Sequence, residues 1–283
     1  MTTLPAPDVV FAGRHMRAAH VRGSRDRLIV TFDFRKIGRS GFGPIMHSSG
    51  FARQGYGQLF ITTAANDWFI NPDTLSLEQA LHEVAVRYRS IGLLGYSMGG
   101  YGALRFARAL GAVSAVLISP QASISADVVP FERRYRTEAT GFDPALGDLA
   151  PQAMSALGGL ILIDPFFPAD LQHARLITAL FPGLRLVRLN FGGHPAIRVL
   201  RGANAAWWVQ RAALQVRPEA RPILAAHRAA RAGSAGYWLR LANHAQRRRP
   251  ELAAFARARA ATLGPCPGDA EDTFALDGPA ESP

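Results

Sequence analysis

The chain has 283 residues, of which 48% are hydrophobic and 19% are charged, and its formal net charge is +11. This composition excludes an intrinsically disordered protein and suffices for one large domain or one domain with an appendage. The single cysteine, Cys266, excludes an internal disulfide framework and a cysteine-based metal site. No apolar run reaches the ~18 residues of a membrane span. Because the N-terminus also lacks the pattern of a secretory signal peptide, we expect a cytoplasmic protein.

The first two thirds of the chain alternate short apolar runs with helical patterns. Because the apolar runs lack polar alternation, they are typical of strands that are buried on both faces. Helices between such strands predict an α/β fold with a mostly parallel central sheet flanked by helices. The predicted strands cover residues 8–21 (a strand or a hairpin), 27–34, 58–64, 91–95, 112–119, 159–164 and 184–191, and the predicted helices cover 75–88, 98–110 and about 168–181.

Three further segments differ from this alternation. Residues 121–157 contain no clear strand, so we interpret them as a cap or lid inserted into an α/β domain that covers residues 1–200. Residues 201–263 form a helical extension rich in Ala and Arg, whose end resembles a single helix-turn-helix repeat of the tetratricopeptide type. Residues 264–283 are rich in Pro, Gly and acidic residues, and we expect them to be disordered.

The positive charge is concentrated near the C-terminus. Residues 195–263 contain 13 arginines against two acidic residues, whereas residues 264–283 contain five acidic residues and no basic ones. Such basic helices either present solvated faces or bind an acidic partner, and the sequence leaves both interpretations open. No RNP motif, basic zipper or zinc pattern points to a nucleic acid as that partner.

One short motif stands at the junction of a strand and a helix. Residues 95–99, Gly-Tyr-Ser-Met-Gly, have the spacing Gly-x-Ser-x-Gly, directly after a buried strand and at the start of a helical pattern. The motif alone is a weak signal, but this context is that of a nucleophile elbow, a sharp turn that exposes a serine above the sheet. Gly95, Gly99 and Gly100 would give the turn its room, and the helix N-terminus would favour negative charge beside Ser97.

A glycine-rich turn of this kind can also hold the pyrophosphate of a nucleotide. The spacing here is not Gly-x-Gly-x-x-Gly, no Asp or Glu ends the next strand, and no P-loop motif occurs in the chain. These observations favour a nucleophile over a nucleotide site.

A serine nucleophile needs a base, and the base needs an acid that orients it. Asp164 stands where a predicted strand ends, and His194 stands in a glycine loop after the last predicted strand, in the order that such a triad requires. His47, in a Gly/Ser-rich loop, competes with His194. Asp170 competes with Asp164, although it is equally suited to cap the following helix. Chain order favours His194, and the position at the strand end favours Asp164.

The region from about residue 27 to 200 resembles the α/β-hydrolase superfamily. GYSMGG (95–100) looks like its nucleophile elbow, DPFFP (164–168) like its acid loop and GGHP (192–195) like its histidine loop. The resemblance implies Ser97 as nucleophile, His194 as general base and then acid, and Asp164 as the orienting carboxylate.

The resemblance also implies an oxyanion hole formed by backbone N–H groups. One would be that of Met98, and the other would come from the loop after residues 27–34, either from Phe34 or from Arg35. The chain departs here from many esterases, because no HG or HGGG motif follows that strand.

These features predict a serine hydrolase that acts on an ester or related acyl bond of a small molecule or carbohydrate, through an acyl-enzyme and without a cofactor or metal. The same residues would serve an acyltransferase or a carbohydrate deacetylase. An alternative of another class is a non-catalytic scaffold with this fold, whose basic C-terminal helices bind an acidic partner. Tyr96, Tyr101 and Trp68 are candidate substrate contacts, although aromatic residues beside an elbow are as often packing residues.

Overall fold

The computed structural model describes residues 7–264, and within this range the strands form one eight-stranded sheet. The order across the sheet is β1-β2-β4-β3-β5-β6-β7-β8. Strand β2 runs antiparallel to β1 and β4, and all the other neighbours are parallel. The strands are β1 Asp8–Ala12, β2 Met16–Val21, β3 Arg27–Phe32, β4 Gly57–Thr63, β5 Ser90–Tyr96, β6 Ser114–Ile118, β7 Gly158–Ile163 and β8 Leu184–Arg188.

Helices cover both faces of this sheet. One apolar core lies under α2, α3 and α5, and a second lies on the opposite face under α7 and α8. The helices are α1 Ser49–Arg53, α2 Thr74–Ala85, α3 Met98–Arg105, α4 Arg136–Ala139, α5 Pro168–Leu180, α6 Arg198–Gly202, α7 Trp207–Ala213, α8 Ala220–Ala230, α9 Ala235–Ala245 and α10 Pro250–Leu263. None of these helices combines the length and apolar character that a membrane crossing requires.

The predicted fold class is confirmed. The central strands β5 and β6 are almost wholly buried, as their unbroken apolar runs indicated. Residues 8–21 form a hairpin of two strands, β1 and β2. The last strand is shorter than its apolar run suggests, because beyond Arg188 the chain turns away into the loop that carries His194.

The segment 121–157 contains only α4 and one 3₁₀ turn as regular structure. Residues on both sides of position 200 belong to the same helical layer, because Val209, Ala212 and Ala213 of α7 pack in the second core with the sheet. Helices α9 and α10 form a hairpin beyond this layer. The disorder expected for residues 264–283 lies outside the described residues, apart from Gly264.

Candidate active site

Ser97 occupies a strained turn between β5 and α3. Its backbone has φ 49° and ψ −117°, in a region that side chains other than glycine rarely adopt. The turn can form because the residues beside Ser97 include glycines. A Cβ on Gly99 would lie 2.6 Å from the carbonyl oxygen of Asp33. Gly95 packs as tightly, against the backbone of Gly99. The side chain of Ser97 therefore stands at the carboxyl edge of the sheet, as in a nucleophile elbow.

Three side chains form a hydrogen-bonded row at this edge. The Oγ of Ser97 lies 3.1 Å from Nε2 of His194, and Nδ1 of His194 lies 2.7 Å from Oδ2 of Asp170. A carboxylate only accepts hydrogen bonds, so it fixes the imidazole proton on Nδ1 and leaves Nε2 to accept from the serine hydroxyl. His47, the competing histidine, is not part of this row.

The carboxylate beside His194 is Asp170, and the prediction of Asp164 for this position is wrong. Asp164 instead accepts three backbone N–H groups, from Phe166 and Phe191 at 3.0 Å and from Gly193 at 2.9 Å. Asp164 directly follows β7, and its carboxylate faces the backbone of the histidine loop. Asp170 lies in the first turn of α5, which brings it to the imidazole. The sequence leaves Asp170 open as a competitor of Asp164, and the structure places it beside His194.

Asp170 is completely buried and surrounded by groups that favour its charged form. Nη2 of Arg134 lies 3.0 Å from Oδ1, and the hydroxyl of Ser119 is a further hydrogen-bond partner. Burial by itself would raise the pKa of Asp170, but the nearby His194 and Arg134 outweigh burial and hold this pKa below its ordinary value. Asp170 is therefore an ionised acceptor for Nδ1 at neutral pH.

A second buried acid, Glu132, is hydrogen-bonded to Arg134. Nε of Arg134 lies 2.9 Å from Oε1 of Glu132, and Oε2 of Glu132 lies 2.9 Å from Nε2 of His173. The N–H of Ala122 donates to Nδ1 of His173, so the imidazole proton lies on Nε2, towards Glu132. Burial favours a higher pKa for Glu132, but the bonds from His173 and Arg134 prevail and lower it strongly. His173, Glu132 and Arg134 thus form a buried polar chain that ends at Asp170.

Two more side chains contact His194 or Ser97. The hydroxyl of Tyr135 lies 3.3 Å from Nε2 of His194, and Nε2 of Gln121 lies 3.3 Å from Oγ of Ser97. Both come from the segment 121–157, whose sequence pattern gave no sign of them. Ser97 itself is only 7% exposed.

The three aromatic residues named as candidate substrate contacts are packing residues in this structure. Trp68 is fully buried and donates from Nε1 to Gln121 at 3.1 Å. The hydroxyl of Tyr101 donates to the carbonyl oxygen of Gly147 at 2.7 Å. Tyr96 is buried in the second core, and burial raises the pKa of its phenol. Trp68 therefore acts on the site through Gln121.

Of the backbone donors expected for an oxyanion hole, Met98 directly follows Ser97 in the chain. Met98 is the first residue of α3, so its N–H has no acceptor within the helix. The N–H of Phe34 donates to Oδ1 of its neighbour Asp33 at 3.0 Å, which makes it a poor candidate for the second donor. Arg35 is then the remaining candidate of the two.

The C-terminal helices contact the loop that carries His194. Nε2 of His227 in α8 lies 3.0 Å from the carbonyl oxygen of Asn190, and Nε of Arg240 in α9 donates to that of Phe191 at 2.7 Å. The ring of His244 packs 5.8 Å from that of Phe191. Burial lowers the pKa of His227, which therefore donates as a neutral imidazole. Among the described residues, no cluster of His, Cys, Asp and Glu could hold a metal ion.

No known protein family matches the chain, and no curated protein matches it in sequence. Solved structures do resemble it. The capsule O-acetyltransferase of Neisseria meningitidis serogroup A is 17% identical with a TM-score of 0.48, over 66% of this chain and 87% of the other. Est1E from Butyrivibrio proteoclasticus is 12% identical with a TM-score of 0.44, over 65% and 88%.

Acetyl xylan esterase 1 from Thermoanaerobacterium sp. JW/SL YS485 is 14% identical with a TM-score of 0.39, over 61% of this chain and 70% of the other. Such low identities leave the activity of this chain to the chemistry of its own site. The order of the strands in the sheet and the strand-to-helix turn at Ser97 are those of the α/β-hydrolase fold, and the chain has this fold.

Proposed function

We propose that the protein is a serine enzyme that removes an acyl group from an ester oxygen, with Ser97, His194 and Asp170 as its catalytic triad. The observation that carries this proposal is the row of contacts of 3.1 Å and 2.7 Å that joins the three side chains. Strain at Ser97 supports it, because residues in such backbone conformations cluster at active sites. The similar structures include esterases and an O-acetyltransferase, which agrees with this class of reaction.

In the first half of the reaction, Oγ of Ser97 attacks the carbonyl carbon while its proton passes to Nε2 of His194. The N–H of Met98 and a second backbone N–H bind the oxyanion, an effect worth about 2.7–4 kcal/mol per donor. The C–O bond then breaks, and the leaving oxygen takes the proton from Nε2. Asp170 holds the imidazole in the required tautomer and stabilises its transient positive charge.

In the second half, the oxygen of a hydroxyl group attacks the acyl carbon while Nε2 of His194 accepts its proton. The bond between that carbon and Oγ of Ser97 then breaks, and Oγ takes the proton from Nε2. If the hydroxyl belongs to water the enzyme is an esterase, and if it belongs to an alcohol or sugar the enzyme is an acyltransferase. Because Ser97 is only 7% exposed beneath Tyr135 and Gln121, we propose a short acyl group such as acetyl as the substrate of either reaction.

The proposal is tested by labelling with a small fluorophosphonate and mapping the adduct by mass spectrometry. We expect one adduct, on Ser97, which is lost in Ser97→Ala. The matched control is Ser90→Ala, at the opposite end of the same strand, which should be labelled like the wild type. Absence of labelling in the wild type, or labelling that persists in Ser97→Ala, would contradict the proposal.

A further inference from the structure

Tyr135 is, with Gln121, one of two residues of the segment 121–157 that contact Ser97 or His194. Its hydroxyl lies 3.3 Å from Nε2 of His194 and is also a hydrogen-bond partner of Ser97. The side chain is 5% exposed, so this contact is made in a site from which most water is excluded.

The ring of Tyr135 is held in place by its neighbours. Its centroid lies 4.7 Å from that of Trp68, and the guanidinium groups of Arg134 and Arg35 lie 5.0 Å and 5.8 Å from it. Arg134 also binds Asp170, so one short stretch of chain contacts both ends of the triad. The hydroxyl is therefore fixed relative to His194 rather than free to swing away.

The chemistry of the triad indicates a role for the hydroxyl of Tyr135. Nε2 of His194 exchanges a proton with two oxygens in turn, first with Oγ of Ser97 and then with the oxygen of the leaving or attacking alcohol. Both oxygens must come within hydrogen-bond distance of Nε2. The hydroxyl of Tyr135 contacts Nε2 and Ser97 together, and so it lies beside the place that the second oxygen has to enter.

We propose that Tyr135 is a catalytic residue whose O–H donates a hydrogen bond to the alcohol oxygen that leaves in acylation and attacks in acyl transfer. This inference rests on the proposed function. In acylation the bond between Oγ and the carbonyl carbon forms, the bond between that carbon and the alcohol oxygen breaks, and the proton on Nε2 moves to the alcohol oxygen. Tyr135 keeps its own proton and stabilises the negative charge that this oxygen develops.

The protonation of Tyr135 agrees with a donor role. Burial raises the pKa of its phenol to about 12, because the effect of burial is larger than the opposing effect of Arg134. The phenol therefore remains a donor throughout the neutral and moderately alkaline range. A donor beside the leaving oxygen is needed most by alkyl and sugar esters, whose alcohols are poor leaving groups, and least by nitrophenyl esters.

The test compares Tyr135→Phe with the wild type on two acetate esters, one of a simple alcohol and one of p-nitrophenol. Phe keeps the ring and its packing and removes only the hydroxyl. We expect kcat/KM for the alkyl ester to fall about 10- to 100-fold, the effect of one hydrogen bond to a charged group, and that for the nitrophenyl ester to change less than about 3-fold. Tyr101→Phe, which loses a buried hydroxyl bonded to Gly147, is the matched control and should leave both values near the wild type.

Two results would overturn the inference. An equal fall for both esters would place the hydroxyl at the oxyanion, and no fall for either would make Tyr135 a packing residue. Failure of the proposed function itself is distinguishable, because it would appear as activity that survives Ser97→Ala, whereas Tyr135→Phe should still react with the fluorophosphonate. The wild type alone gives a second test, since a leaving-group donor requires that log(kcat/KM) depend only weakly on the pKa of the leaving alcohol.

Discussion

Two aspartates six residues apart divide the work of supporting His194. Asp170 binds the imidazole, whereas Asp164 binds the backbone N–H groups of Phe166, Phe191 and Gly193. Both are buried, so each must have its oxygens satisfied by nearby donors. The division separates the orientation of the ring from the shape of the loop that carries it.

Replacing these two aspartates should therefore give different defects. In Asp170→Asn the amide favours the wrong imidazole tautomer, and we expect kcat to fall roughly 10³- to 10⁴-fold. In Asp164→Ala three N–H groups lose their acceptor, and we expect the free energy of unfolding to fall by at least about 3 kcal/mol. Ester hydrolysis and urea unfolding measure the two effects, and equal kinetic losses without a stability difference would contradict this assignment.

Glu132 should make the stability of the protein sensitive to acid. Its bonds to His173 and Arg134 overcome the effect of burial and lower its pKa in the folded state. A lowered folded pKa adds stability above the unfolded value, about 4.3, and this stability is lost as the pH falls through the folded pKa. We expect the free energy of unfolding to decrease from pH 5 towards pH 2, and to decrease less steeply in Glu132→Gln.

Urea unfolding at several pH values measures this slope. Glu83→Gln, which removes an exposed glutamate of α2, is the matched control and should keep the wild-type slope. A slope in Glu132→Gln equal to that of the wild type would show that Glu132 and its bonds to His173 and Arg134 do not couple stability to pH.

At the scale of elements, the C-terminal helices α8 and α9 act as supports for the histidine loop. His227 and Arg240 bind carbonyl oxygens of this loop, while Asp164 binds its N–H groups. Arg240 also packs against Gly193, where a Cβ would lie 3.3 Å from the guanidinium. At least one arginine of the basic extension is thus used internally, and binding of an acidic partner by the others stays a prediction.

Arg240 should be a positioning residue for His194. In Arg240→Met the loop loses one support, and because small misplacements of a catalytic group are costly we expect kcat to fall about 10-fold while KM changes less than about 2-fold. Arg240→Lys retains a donor and should recover most of kcat. Steady-state kinetics on a short acyl ester measure both values. Arg247→Met, which removes an exposed arginine nearby, should behave as the wild type, and a loss shared by the Met and Lys variants would contradict the role.

At the scale of the whole molecule, the sheet depends on helices that follow the histidine loop. Helix α7 packs on β5 and β6, and its apolar residues share the second core with Ile29, Leu94 and Val116. Helix α10 packs chiefly on α9. The part of the chain after position 200 is thus partly a layer of the fold and partly an addition to it.

Two truncations should separate these parts. A chain that ends at residue 203 lacks α7 to α10 and exposes one face of the sheet, so we expect it to lose cooperative unfolding in urea. A chain that ends at residue 249 lacks α10 and the residues after it, and it should keep cooperative unfolding and fluorophosphonate labelling of Ser97. Cooperative unfolding of the shorter chain would show that α7 is dispensable for the fold.

The elements of this fold were accessible from the sequence because they depend on local patterns. The apolar runs predict the buried strands β3 to β7, and the strand-to-helix junction predicts the turn at Ser97. His194 also follows from chain order alone. These features depend on a few neighbouring residues, whose spacing and size decide whether a buried strand or a tight turn can form.

The identity of the carboxylate beside His194, and the groups around it, were decided only by the tertiary structure. Asp164 and Asp170 both follow β7, and the direction in which α5 leaves the strand determines which one meets the imidazole. Tyr135 and Arg134 belong to a segment without periodicity, so no local pattern marks them. The sequence by itself determined the fold class and the turn at Ser97, because those depend on local pattern, whereas the polar network depends on contacts between residues that are distant in the chain.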